Sequence, residues 1–167
     1  MRRTLVVLGV LLVVGATAGT ADAGSLRVRT DPDDSASKLD IRKVTTDLSS
    51  TTLYLRLGSW DRFRIRDMRE TWGFALDTVG GHKMDRFVGI YPSPHGLKCD
   101  VGEGPHGVRP VGIRHATRPD RRSIACHLPR GWFGHIDRAV RFRAFIEDPV
   151  SPKTADSAPN NGLYRWI

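Results

Sequence analysis

The sequence predicts an all-β fold: an antiparallel, two-sheet, jelly-roll-like β-sandwich of about eight strands, preceded by a cleaved signal peptide. Three observations lead there. Apolar residues recur with period two along most of the chain, while a sustained 3.6-residue apolar period is nearly absent. Clusters of Gly, Pro, Ser and Asp punctuate the alternating runs every 8–14 residues or so, as sandwiches require. The 167 residues, 40% apolar and 26% charged, make one domain with room for a buried core.

The leader comes first. Met1-Arg2-Arg3 is a basic start, Leu5 to Val14 an apolar run of ten, and Ala21-Asp22-Ala23 a small-x-small exit. This layout predicts a signal peptide over residues 1–23, with a single domain over 24–167. The apolar run is short of the roughly 20 residues a membrane span needs. An exported monomer without a stable membrane anchor is therefore expected, and intracellular nucleic acid is not an expected partner. Removing Arg2, Arg3 and Asp22 leaves 24 basic and 17 acidic residues, so the net charge falls from +8 to +7. Over the full chain Arg outnumbers Lys by 21 to 5, which reads either as bidentate anion binding or as genome composition.

The strands follow in order. Leu39, Ile41 and Val44 open the series, and Leu53, Leu55 and Leu57 alternate with Tyr54 and Arg56. Trp72, Phe74 and Leu76 form the next run, then Phe87, Val88 and Ile90, stopped by Pro92 and Pro94. Leu97, Cys99 and Val101 alternate again. Pro110 breaks the run from Val108 to Thr117, which suits an edge strand or a bulge. Ile124, Cys126 and Leu128, then Val140, Phe142, Ala144 and Ile146, complete the set. Gly80-Gly81 and Arg118-Pro119-Asp120 read as turns, and two helical turns fit near Arg66–Glu70 and Gly131–Gly134. Cys99 and Cys126 share the inward parity of their strands. In an exported chain a disulfide between them is expected, with buried free thiols as the alternative.

Two charged constellations carry the candidate chemistry. Asp31, Asp33, Asp34 and Asp40 place four carboxylates within ten residues, in a Pro- and Ser-containing loop. They repel one another unless solvated or bridged by a cation, and hard oxygen ligands on a flexible loop suit Ca²⁺. Asp156 and Asn160 complete such a site if the two ends of the domain meet; a solvated acidic loop is the alternative. Asp77 and Asp85, around Gly80-Gly81, read as a plain hairpin. The second constellation is Trp60 to Arg69. On a strand, Arg62, Arg64 and Arg66 would form one row near Trp60 and Trp72, extended by Arg141 and Arg143. Such a row suits an anionic polymer; a solvated basic face is the alternative.

Asp31-Pro-Asp33, Leu39-Asp40-Ile41, the Asp-flanked mid-chain turn and Ala158 to Gly162 together resemble secreted actinobacterial-type proteins. These are similar in turn to the sandwich folds of DOMON and family 9 carbohydrate-binding modules. The resemblance implies Ca²⁺ near Asp31, Asp33, Asp34 and Asp40, and sugar recognition through tryptophan. Trp60, Trp72, Trp132 and Trp166 supply the candidates, each with a core position as the alternative. For haem, Met68 and Met84 pair with no particular His by spacing.

No G-x-S-x-G elbow and no H-E-x-x-H occurs. His115 and His127 are expected on neighbouring strands. The reading is a secreted, non-catalytic module for a cell-wall or extracellular anionic glycan; a small secreted hydrolase or hydrolase inhibitor is the rival.

Overall fold

The structure, a computed structural model, describes residues 26–34, 40–81, 83–134, 136, 140–147 and 154–166. The leader expected over 1–23 lies outside the described residues, as do Leu39, His82 and His135.

The sandwich is present, built from more strands than the alternation alone separates. One antiparallel sheet runs β1 (Arg27–Thr30), β2 (Ile41–Leu48), β3 (Thr52–Ser59), β9 (Ser123–Pro129) and β8 (Thr117–Asp120), in that spatial order. The second runs β11 (Thr154–Ala158), β10 (Arg141–Glu147), β4 (Thr71–Asp77), β5 (Arg86–Ser93), β6 (Gly96–Glu103) and β7 (Arg109–His115). Its seventh strand, β12 (Tyr164–Arg165), also pairs with β10, at Arg141 and Phe142.

Burial follows the predicted parity. In β3, Leu53, Leu55 and Leu57 are fully buried while Thr52, Tyr54 and Arg56 are half-exposed. Each such leucine contributes about 2 kcal/mol by leaving water. Opposite them stand Trp72, Phe74 and Leu76 of β4 and Phe142, Ala144 and Ile146 of β10. Cys99 of β6 and Cys126 of β9 are bonded to each other across the interior, with Cα atoms 6.2 Å apart. The bridge therefore ties one sheet to the other. With the cysteines 27 positions apart, it restricts the unfolded chain by about 3.5 kcal/mol on the entropy model.

The hairpin between β4 and β5 is a plain one. Asp85 accepts hydrogen bonds from the Thr78 amide at 2.6 Å and the Thr78 hydroxyl at 2.5 Å. Gly80 and Gly81 take positive φ of 78° and 103°, which other residues resist.

The run from Val108 is, as expected, an edge strand, and its pairing shifts opposite Pro110. Two expectations change. Arg118-Pro119-Asp120 belongs to the edge strand β8 rather than to a turn, where Pro is tolerated because no further strand needs its amide. The segment after Trp60 is a loop with a 3-10 turn at Ile65–Asp67, not a strand. Phe63 and Met68, five positions apart, both enter the core, a spacing that strand alternation cannot satisfy.

Candidate functional site

The acidic residues are gathered by the ends of three strands. Asp31 follows β1, and its amide donates to the Arg42 carbonyl at 2.9 Å. Asp40 precedes β2, and Asp156 lies on β11. The two distant parts of the chain are joined directly: the Ile41 amide donates to Asp156 Oδ2 at 2.6 Å. The Ser157 amide donates to Asp156 Oδ1 at 2.7 Å. Asp34 is drawn in twice, its amide donating to Asp40 Oδ2 at 3.0 Å and its carboxylate accepting from Asn160 Nδ2 at 2.5 Å. One carboxylate oxygen from each of Asp31, Asp34, Asp40 and Asp156 lies within 4.8 Å of the others. Asp33 is outside this set; its carboxyl is exposed and shares a hydrogen bond with Asp40, which raises its pKa.

These carboxylates are not solvated like an ordinary surface loop. Asp31, Asp40 and Asp156 are 5, 2 and 7% exposed. Asp31, Asp34 and Asp156 make no ion pair with any described residue. Asp31 Oδ2 is buried without a hydrogen bond, an arrangement that costs free energy unless something else coordinates it. Burial, and then the charges of Asp156, Asp34 and Asp40, raise the Asp31 carboxyl from 3.8 to about 6. The Tyr164 hydroxyl, hydrogen-bonded to Asp31, offsets part of this. Four like groups converging on one point can hold a metal ion, and an all-oxygen set selects a hard cation.

A basic surface adjoins the cluster. The Trp60 amide donates to the Asp40 carbonyl at 3.0 Å, and the Arg42 guanidinium covers the Trp60 ring at 5.1 Å. Beyond Trp60 the β3–β4 loop is sewn to the β8–β9 turn. The Phe63 amide donates to the Arg121 carbonyl at 3.1 Å, and the Ser59 amide to the Arg122 carbonyl at 2.7 Å. Arg118 donates to the carbonyls of Phe63 and Arg121 while its guanidinium covers the Phe63 ring at 4.9 Å. Arg62, Arg64 and Arg66 are thereby joined by Arg121 and Arg122, all exposed. Only Arg66 has an acidic partner among the described residues, Asp67 at 3.7 Å.

Several predicted site residues sit elsewhere. Trp72 is fully buried and packs against Phe63 with ring centres 4.9 Å apart. Trp166 is buried, while Trp60 and Trp132 are half-buried, so no described tryptophan stands free to stack on a ligand. Arg143 does not extend the arginine surface: it lies on β10 of the other sheet and donates to Ser157 Oγ at 2.7 Å. His115 ends β7 and His127 lies on β9, in different sheets. His127 packs against Tyr54 with its ring tilted, centres 4.7 Å apart, and Tyr54 stands between it and Asp47 in the register.

The alternation also left one feature unread. The outer face of the seven-stranded sheet holds a groove of about 770 Å³, lined by Phe87, Phe145 and Asp100 among others. Comparison of the chain with protein-family models, curated proteins and solved structures gives no match.

Proposed function

We propose that the protein is an exported, non-catalytic module that binds an anionic extracellular glycan, its fold clamped by Ca²⁺. The observation that carries the reading is the cluster of exposed guanidiniums where the β3–β4 loop meets the β8–β9 turn. Arg62, Arg64, Arg121 and Arg122 have no ion pair with a described residue. The two segments that carry them are joined by backbone hydrogen bonds from Phe63 to Arg121 and from Ser59 to Arg122, which keeps the four charges in one region. Guanidinium suits the carboxylates of a uronic acid or the phosphates of an envelope polymer, bidentately in either case. Exposed contacts are individually weak, so recognition depends on several acting together and weakens with salt.

Export is supported by the leader-like first 23 residues and by the inter-sheet disulfide. No helix among the described residues is long and apolar enough to cross a membrane. Ca²⁺ is supported by the four converging carboxylates, three of them buried, and by the orphaned Asp31 oxygen. The ion would join the β1–β2 connection to β11.

Co-sedimentation with polygalacturonate, at low and at high salt, tests the reading. Retention should vanish at high salt and in the quadruple variant R62E/R64E/R121E/R122E. Retention that survives this charge reversal overturns it. Turnover of a polysaccharide in a parallel hydrolase screen would favour the rival enzyme.

A further inference from the structure

The groove on the seven-stranded sheet contains none of Arg62, Arg64, Arg121 and Arg122, and its chemistry is different. Its shape follows from the strand register. One row across the outer face reads Phe145, Gly73, Gly89, Asp100 and Ile113, on β10, β4, β5, β6 and β7 in turn. The adjacent row reads Arg143, Ala75, Phe87 and Gly102. In the first row Gly73 and Gly89 carry no side chain, and the Phe145 ring and the Asp100 carboxylate lie over them; in the second, Ala75 leaves space beside the Phe87 ring. A Cβ at Gly73 would come within 2.5 Å of the Phe145 ring, and one at Gly89 within 2.5 Å of an Asp100 carboxylate oxygen. Glycine at these two positions makes room for the groups that face the groove.

The groups themselves form a recognisable set. The Phe87 ring is stacked with His106, centres 6.1 Å apart and planes 27° apart. His106 is held at φ 57°, the one non-glycine residue with positive φ among those described. Backbone strain of that kind persists where the surroundings over-determine it. Asp100 lies half-buried at the floor, its carboxylate over Gly89. Arg143, anchored on Ser157 and Asn160, and Glu147 line the same groove.

We propose that this groove binds a neutral glycan, a short chain of uncharged pyranose rings. Flat apolar sugar faces fit against Phe87 and Phe145, and vicinal hydroxyls pair with the Asp100 carboxylate and the Arg143 guanidinium. The volume is that of a small-ligand cleft, roughly 300–1,000 Å³. Two carboxylates against one guanidinium give no net attraction for a polyanion, so this ligand differs in class from that of the arginine cluster. The protein thus carries two glycan sites of opposite electrostatic character, on different sheets.

Titration of the full chain with neutral hexasaccharides (β-1,4-glucan, β-1,3-glucan, xylan and mannan) by calorimetry and by NMR amide shifts tests the proposal. At least one should bind, with shifts centred on Gly73, Gly89 and Asp100 and an affinity unchanged by about 0.5 M NaCl. Phe87→Ala and Phe145→Ala should each weaken that binding by roughly tenfold. R62E/R64E/R121E/R122E should leave it intact. The shift map on the unaltered protein decides the matter even if a phenylalanine variant fails to fold. No binding by any of the four, or shifts that avoid the groove, overturns the proposal. Either result leaves the polygalacturonate experiment to be judged separately.

Discussion

Two charged regions lie side by side in this molecule, joined through Trp60, and they treat their charges in opposite ways. The carboxylates of Asp31, Asp34, Asp40 and Asp156 converge, three of them buried, on a space only 4.8 Å across. The guanidiniums of Arg62, Arg64, Arg121 and Arg122 stand exposed on two segments joined by backbone hydrogen bonds and by the Arg118 side chain. Converging buried charges make a site for something small whose binding is inseparable from folding. Diverging exposed charges make a surface for something large whose binding leaves the fold untouched. The contrast predicts that the acidic region governs stability and the basic region governs retention.

The most damaging test of that division is Asp156→Ala. It removes the acceptor of the Ile41 and Ser157 amides, and leaving those buried groups unpaired should cost about 3 kcal/mol in denaturant unfolding. A loss below a few tenths would show that the strand ends do not depend on the cluster. Next, CaCl₂ at about a hundredfold excess over its dissociation constant should stabilise by about 2.7 kcal/mol, raising Tm by roughly 9 °C. EDTA should reverse the shift. A melting curve indifferent to both would leave the carboxylates without a cation.

Asp31 sharpens the same contrast through pH. In the metal-free protein its folded pKa of about 6 lies above the unfolded 3.8, so the folded state holds the proton more tightly. The corresponding stability is complete below about pH 4 and is lost as pH rises through about 6. Chemical unfolding in EDTA across that range should follow this trend. Asp31→Asn should flatten the trend and abolish the calcium response together. The smallest expected effect lies on the basic side. R62E/R64E/R121E/R122E should move Tm by no more than about 2 °C while eliminating retention on polygalacturonate. A large fall in Tm would mean that those arginines support the fold after all.

Much of this was legible in the chain because alternation and burial share one cause. Leu53, Leu55 and Leu57 point inward for the same reason that they alternate, and Cys99 and Cys126 meet because both follow inward parity. The gathering of Asp31, Asp34 and Asp40 with Asp156 and Asn160 was legible as a condition, fulfilled once the ends of the domain met. Other features lack a local signal. Arg27–Thr30 is a polar edge strand whose pattern is defined only by pairing with β2. The stretch after Trp60 imitates alternation, yet Phe63 and Met68 anchor it as a loop. The groove was invisible because its glycines are neighbours only across strands: Gly73 and Gly89 are 16 positions apart in sequence and directly paired in the sheet.

The joining of Asp156 to Ile41 has a bearing on the order in which the chain acquires its structure. The two residues are separated by 115 positions, so their contact waits until the whole stretch between them has been made and carries a large closure entropy. A chain halted before β11 possesses three of the four carboxylates but lacks the Asp156 oxygen that fastens β2. The cation would therefore discriminate finished molecules from unfinished ones. A medium rich in that cation would act as a late proofreading step, trapping only those copies whose two halves have already found each other.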